Sequence, residues 1–121
     1  MSSRTFRITV RGSFDGLTDD QRAELLAAAS DHDMLYAAFT PEGHLAYDIA
    51  ARDSFTFRFL DSGEAEEDIL DATARAELSA ESWLGERGYG FKRLTSRGQD
   101  LSLAPLSKRQ RQAAARADGG A

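Results

Sequence analysis

Thr5-Phe6-Arg7-Ile8-Thr9-Val10-Arg11-Gly12 alternates residue by residue: Phe6, Ile8 and Val10 are apolar, Thr5, Arg7, Thr9 and Arg11 are polar, and Gly12 ends the pattern. A period of two marks a half-buried β-strand, because successive side chains along a strand point to opposite faces. One face of this strand is greasy and the other cationic. The same rhythm returns in Phe55-Thr56-Phe57-Arg58-Phe59. If the phenylalanines of both strands turn toward helices, Arg7, Arg11 and Arg58 share the opposite face of one sheet with Thr5, Thr9 and Thr56. Lys92 joins them if Phe91 points inward.

Between these strands, Thr18-Asp19-Asp20-Gln21 reads as a capping box whose two carboxylates suit the positive end of a helix dipole, and it predicts a helix over about 18–31 that buries Leu25, Leu26 and Ala29. Three short extended pieces are expected at 34–40, 44–49 and 54–60, parted by Thr40-Pro41-Glu42-Gly43 and Ala51-Arg52-Asp53. Asp61-Ser62-Gly63 then breaks the chain ahead of a long helix over 64–87, with Ile69, Thr73, Ala76, Ala80, Trp83 and Leu84 as its core stripe. Gly88 ends that helix, and 89–96 supplies the last strand.

The order is β-α-β-β-β-α-β, an α+β fold in which an antiparallel sheet carries two helices on one face. It resembles the ferredoxin-like sandwich with an extra hairpin strand at the edge. Residues 1–99 form the expected domain. Residues 100–121 form a partly ordered basic tail, with a short helix expected from 107 to about 117 on the Ser107–Gln110 capping box.

A chain of 121 residues can build its own core without staples. It has no cysteine, which excludes disulfides, thiolate metal sites and thiol nucleophiles. Its longest apolar run, Leu25 to Ala29, is far short of the roughly 20 residues that span a bilayer. The opening residues lack the apolar core of a signal peptide, so a cytoplasmic setting is expected. Charge is uneven: residues 1–99 hold 11 Lys and Arg against 18 Asp and Glu, and residues 100–121 hold 4 against 2. An acidic body repels polyphosphates at long range.

Several strings suggest chemistry and are better explained structurally. Arg87-Gly88-Tyr89-Gly90-Phe91 matches the start of an RNA-recognition signature, but Lys92 and Leu94 break the match, and helix capping plus core aromatics explain each residue. Gly12 to Thr18 joins strand to helix as phosphate loops do, yet it lacks a Gly-Lys-Ser/Thr ending and carries Asp15. Asp31-His32-Asp33, with His44 elsewhere, offers too few converging ligands for a metal. No serine sits in a nucleophile elbow. The acidic run from Glu64 to Asp71 compensates a helix dipole.

The whole chain resembles a family of small actinobacterial proteins of unknown function, through Arg4-Thr5-Phe6-Arg7, Val10-Arg11-Gly12, Phe14-Asp15-Gly16-Leu17 and Phe55-Thr56-Phe57-Arg58-Phe59. The family has no assigned activity, so the resemblance implies no catalytic residue. The expectation is a non-catalytic binding module without cofactor or metal. It would take an anionic ligand or acidic protein segment on Arg7, Arg11, Arg58 and Lys92, with the basic tail as a second contact. Nucleic acid and membrane are not the expected partners, and a homodimer is left open. One alternative is a cofactor-free small-molecule binder or enzyme of the dimeric α+β type, with an apolar cavity lined by Tyr36, Tyr47, Trp83 and His32 or His44. Another is RNA binding through Phe91, Lys92 and the tail.

Overall fold

Strand β1, Arg4–Phe14, has hydrogen-bonded neighbours on both sides and forms the centre of the molecule. The computed structural model describes residues 4–103. After β1 come α1 (Asp19–Ala27), two 3₁₀ turns (Ala29–His32 and Met34–Tyr36), β2 (His44–Tyr47), β3 (Ser54–Gly63), α2 (Asp68–Glu86), β4 (Phe91–Asp100) and a last 3₁₀ turn, Leu101–Leu103. The four strands make one antiparallel sheet in the order β2-β3-β1-β4. β3 follows β1 from Arg4 opposite Gly63 to Ser13 opposite Ser54.

The greasy parity holds. Phe6, Ile8, Val10 and Phe14 share one face with Phe55, Phe57 and Phe59, and all are buried together with Leu25 of α1 and Ala72, Ala76, Ala80 and Leu84 of α2. Both helices therefore cover the same side of the sheet. Small side chains on α2 bring its backbone close to the phenylalanine layer, where Phe14 and Phe55 lie 4.8 Å apart and Trp83 meets Phe57 edge-on at 5.8 Å. Each fully buried phenylalanine contributes about 1.5–3 kcal/mol, so these rings dominate the driving force. α1 has nine residues and is too short to persist alone. Its Thr18–Gln21 capping box forms as expected, Gln21 Nε2 donates to the Gly88 carbonyl at 3.0 Å, and Tyr47 Oη donates to the Leu25 carbonyl at 2.6 Å.

The expected strand at 34–40 does not form. Asp33 instead accepts the Leu35 amide at 2.9 Å and closes the turn Met34–Tyr36, and within the segment only Thr40 pairs its backbone with β3, through a single parallel bridge to Phe59. An Asx-type turn there outcompetes a ladder because the segment lacks true alternation. The sheet thus has four strands, and the element order is β-α-β-β-α-β. The first helix stops at Ala27 and passes into a 3₁₀ turn, and the second starts at Asp68, four residues later than expected, after a turn whose Glu64 and Ala65 amides donate to the Asp68 carboxylate. β4 runs to Asp100, whose carboxylate pairs with Arg4 at 2.9 Å and ties the strand end to β1. The helix expected at 107–117 lies outside the described residues.

β4 carries a bulge. Arg11 faces Thr95 but Ser13 faces Lys92, so three steps on β4 match two on β1. The extra residue sits at Arg93, the one non-glycine with positive φ (58°) among the described residues. Because one added residue reverses side-chain parity, Phe91 and Leu94 pack on the core, whereas Thr95, Arg97 and Gln99 turn to the far face with Arg7, Thr9 and Arg11.

Candidate functional site

Cross-strand register builds the site. Thr9 faces Arg58 on β3 and Arg97 on β4, while Arg7 and Arg11 lie two residues either side of it on β1. Diagonal neighbours in an antiparallel sheet stand roughly 7–8 Å apart, so four arginines surround Thr9 on the face that the helices leave uncovered. None of the four is ion-paired to a carboxylate among the described residues, although the chain holds 20 acidic residues against 15 basic ones.

Residues 37–40 cross the rim of this face and hold two of the four in place. Phe39 makes cation–π contacts with two guanidinium groups, Arg7 at 5.1 Å and Arg58 at 5.6 Å from the ring centre. Arg58 also donates to the Ala37 carbonyl at 3.1 Å and is half-buried. It is thus partly spent on anchoring the segment. Arg7 is exposed and makes no side-chain hydrogen bond or ion pair among the described residues, and a guanidinium can bind carboxylate or phosphate in bidentate fashion. Arg7, Arg11, Arg97, Thr9, Thr95 and Phe39 border a groove of about 490 Å³ that contains no acidic residue.

Lys92 stands apart from the cluster. It lies beyond the bulge opposite Ser13, with Nζ 3.7 Å from Asp15. Arg97 takes the place in the cluster that the sequence pattern offers to Lys92. Simple alternation from Phe91 turns Arg97 inward, and no glycine at 93 announces the bulge that reverses it.

Beyond Arg11, at the end of the sheet, lies a larger groove of about 840 Å³ between β2, β3 and the turns after α1, lined by residues of both sheet faces. Leu26 and Met34 border it, and Tyr47 and Phe55 lie at its base. The other aromatic and histidine candidates do not converge on it. Trp83 packs in the core, Tyr36 is 79% exposed, and His32 stacks on Tyr47 at 5.1 Å with Nδ1 2.8 Å from the Leu45 carbonyl. Burial pushes the Tyr47 phenol up to about 12, with Tyr89 and Asp31 adding to the shift, so it remains a neutral donor. Burial also raises Tyr89, and its hydrogen bond to Glu24 adds to this.

Phe91, the aromatic of the RNA-like string, packs against the core, and Gly88 (φ 72°) closes α2. No group of three His, Asp or Glu side chains among the described residues could hold a metal ion. No described helix is long and apolar enough to cross a membrane.

These features define a small α+β sandwich whose helix-free sheet face carries four arginines. The chain belongs to the family of unknown function DUF6204, whose model matches residues 1–112. No curated protein and no solved structure matches it.

Proposed function

We propose that the chain is a non-catalytic binding module that takes an anionic ligand, or an acidic segment of a partner protein, on the arginine-bearing sheet face. The observation that carries this reading is the set Arg7, Arg11, Arg58 and Arg97 around Thr9, unpaired with carboxylates among the described residues of an acidic chain. Concentrated like charge costs self-repulsion, and an incoming anion relieves it. Arg7, Arg11 and Arg97 make the contacts, while Arg58 positions residues 37–40. The fold reading that goes with this is ferredoxin-like, supported by the β-α-β-β-α-β order and the strand order β2-β3-β1-β4. A cytoplasmic setting and an actinobacterial kinship belong to the same proposal.

Tripolyphosphate is a suitable probe. It should bind the wild-type chain with an affinity that falls as salt rises. Charge-assisted hydrogen bonds contribute about 1.5–3 kcal/mol each, so Arg7→Ser, Arg11→Ser and Arg97→Ser together should weaken binding by two orders of magnitude or more while leaving the fold intact. Equal binding by the triple variant overturns the reading. Tight, salt-dependent binding of a single-stranded oligonucleotide through the same residues redirects it to nucleic acid.

A further inference from the structure

We propose that the outer edge of β4 docks an extended acidic segment of a partner protein, which adds a fifth strand to the sheet and sets an acid at every second position against Arg97, Arg11 and Arg7. The choice of an acidic occupant rests on the anion-binding reading above, whereas the free edge rests on the backbone ladder.

Hydrogen-bond parity fixes which way β4 turns its backbone. Phe14 N donates to the Asp53 carbonyl and Asp15 N to the Gly90 carbonyl, both at 2.8 Å. Even-numbered residues of β1 therefore bond toward β3 and odd-numbered ones toward β4. Leu60 N, which donates to the Thr40 carbonyl on the outer side of β3, obeys the same alternation. Arg7, Thr9 and Arg11 thus engage the backbones of their register partners Gln99, Arg97 and Thr95, and the amides and carbonyls of Ser96 and Gly98 point out of the sheet. No hydrogen bond occupies those groups among the described residues, and Gly98 is exposed. The opposite edge differs. β2 has four residues, and its outward Leu45 carbonyl lies 2.8 Å from His32 Nδ1. β4 has ten, and an unpaired strand edge is a template for a further strand.

Charge selects the occupant. Side chains of an added strand alternate, so those opposite Thr95, Arg97 and Gln99 share the helix-free face. Arg97 meets the middle one directly. Arg11 and Arg7 stand one strand further in, behind Thr95 and Gln99, at roughly 10 Å, a gap that a glutamate and an arginine side chain close between them. The groove bordered by these arginines runs along Thr95, Ser96, Arg97, Gly98 and Gln99 and so reaches the edge. A second copy would lay one cationic strand against another. Residues 104–121 of the chain carry Lys108, Arg109, Arg111 and Arg116 against Asp118 alone. An acidic strand complements the edge where these two do not.

Two peptides of about ten residues, the length of β4, test this on the full chain: one alternates Glu with Thr, and the other has the same composition with its glutamates in one block. The alternating peptide should bind about tenfold more tightly than the blocked one and should slow hydrogen exchange at the Ser96 and Gly98 amides. Arg97→Gln should weaken it about tenfold. Ser96→Pro removes one outward amide at a place where an edge strand tolerates proline, so it should reduce the alternating peptide to the affinity of the blocked one and leave tripolyphosphate binding unchanged. Should that variant not fold, the exchange measurement on the wild-type chain decides. Equal affinity for the two peptides, or unchanged exchange at Ser96 and Gly98, overturns the inference, as does an edge taken by a second copy or binding of a single-stranded oligonucleotide only. If tripolyphosphate still binds in those cases, the anion-binding face stands and only the docking edge falls; if it fails as well, both fall.

Discussion

Tyr47 and Asp68 each hold a local structure together through one hydrogen-bonding group, and each leaves a pH signature. The Tyr47 pKa lies above its ordinary value of 10, so its contribution to stability is intact below pH 10 and is lost as pH rises toward 12. An alkaline absorbance titration should contain a phenol ionising near pH 12 that Tyr47→Phe removes. The variant should be less stable by about 1–2 kcal/mol, the cost of losing the bond to Leu25 in the core. Asp68 behaves oppositely. Its carboxylate accepts the amides of Ala65 and Glu64, both at 2.9 Å, and these bonds lower its pKa below the ordinary 3.8. Its stabilisation is present above pH 3.8 and disappears as pH falls through the lower folded value. Asp68→Ala should therefore lower the Tm at pH 7, with the gap to wild type closing below pH 3.8. The Thr18–Gln21 box is legible from sequence because its partners are three residues apart. Tyr47's role is not, because its acceptor is 22 residues away and only the packed fold brings them together.

At the scale of elements, the strands with strict alternation and the helices with capping residues are readable from the chain, and the irregular stretches are not. Residues 34–39 contain strand-forming side chains, yet Asp33 caps a turn and the segment becomes a strap whose Phe39 contacts two arginines. The bulge at Arg93 matters more, because it decides which face receives Arg97. Holding arginine at φ 58° strains the backbone by about 1 kcal/mol, partly offset by the entropy that glycine would lose on folding. Arg93→Gly should consequently raise stability by about 0.5 kcal/mol, read as a higher denaturant midpoint with an unchanged slope, and leave tripolyphosphate binding intact. Parity therefore makes three of the four arginines legible: Arg7, Arg11 and Arg58 follow from alternation, whereas Arg97 depends on a bulge with no glycine to signal it.

On the scale of the whole molecule, positive charge is concentrated on one sheet face of a chain whose net charge is −5. A bound anion that selects the folded state should stabilise it by about 2.7 kcal/mol at a hundredfold excess over its Kd, roughly 10 °C in a chain of this size. Tripolyphosphate should therefore raise the Tm well beyond sodium chloride of equal ionic strength, and the Arg7, Arg11 and Arg97 triple variant should abolish the difference. The sheet also ends in a long strand, β4, on whose outer side no described strand lies. Two copies meeting edge to edge in antiparallel fashion about Thr95 would bring Arg97 of each against Arg93 of the other, and like charges directly opposite repel. In that register the β4 arginines oppose edge-to-edge pairing, and neutralising Arg97 removes this repulsion along with one anion contact. Light scattering of the triple variant alone, before any probe is added, separates the two effects.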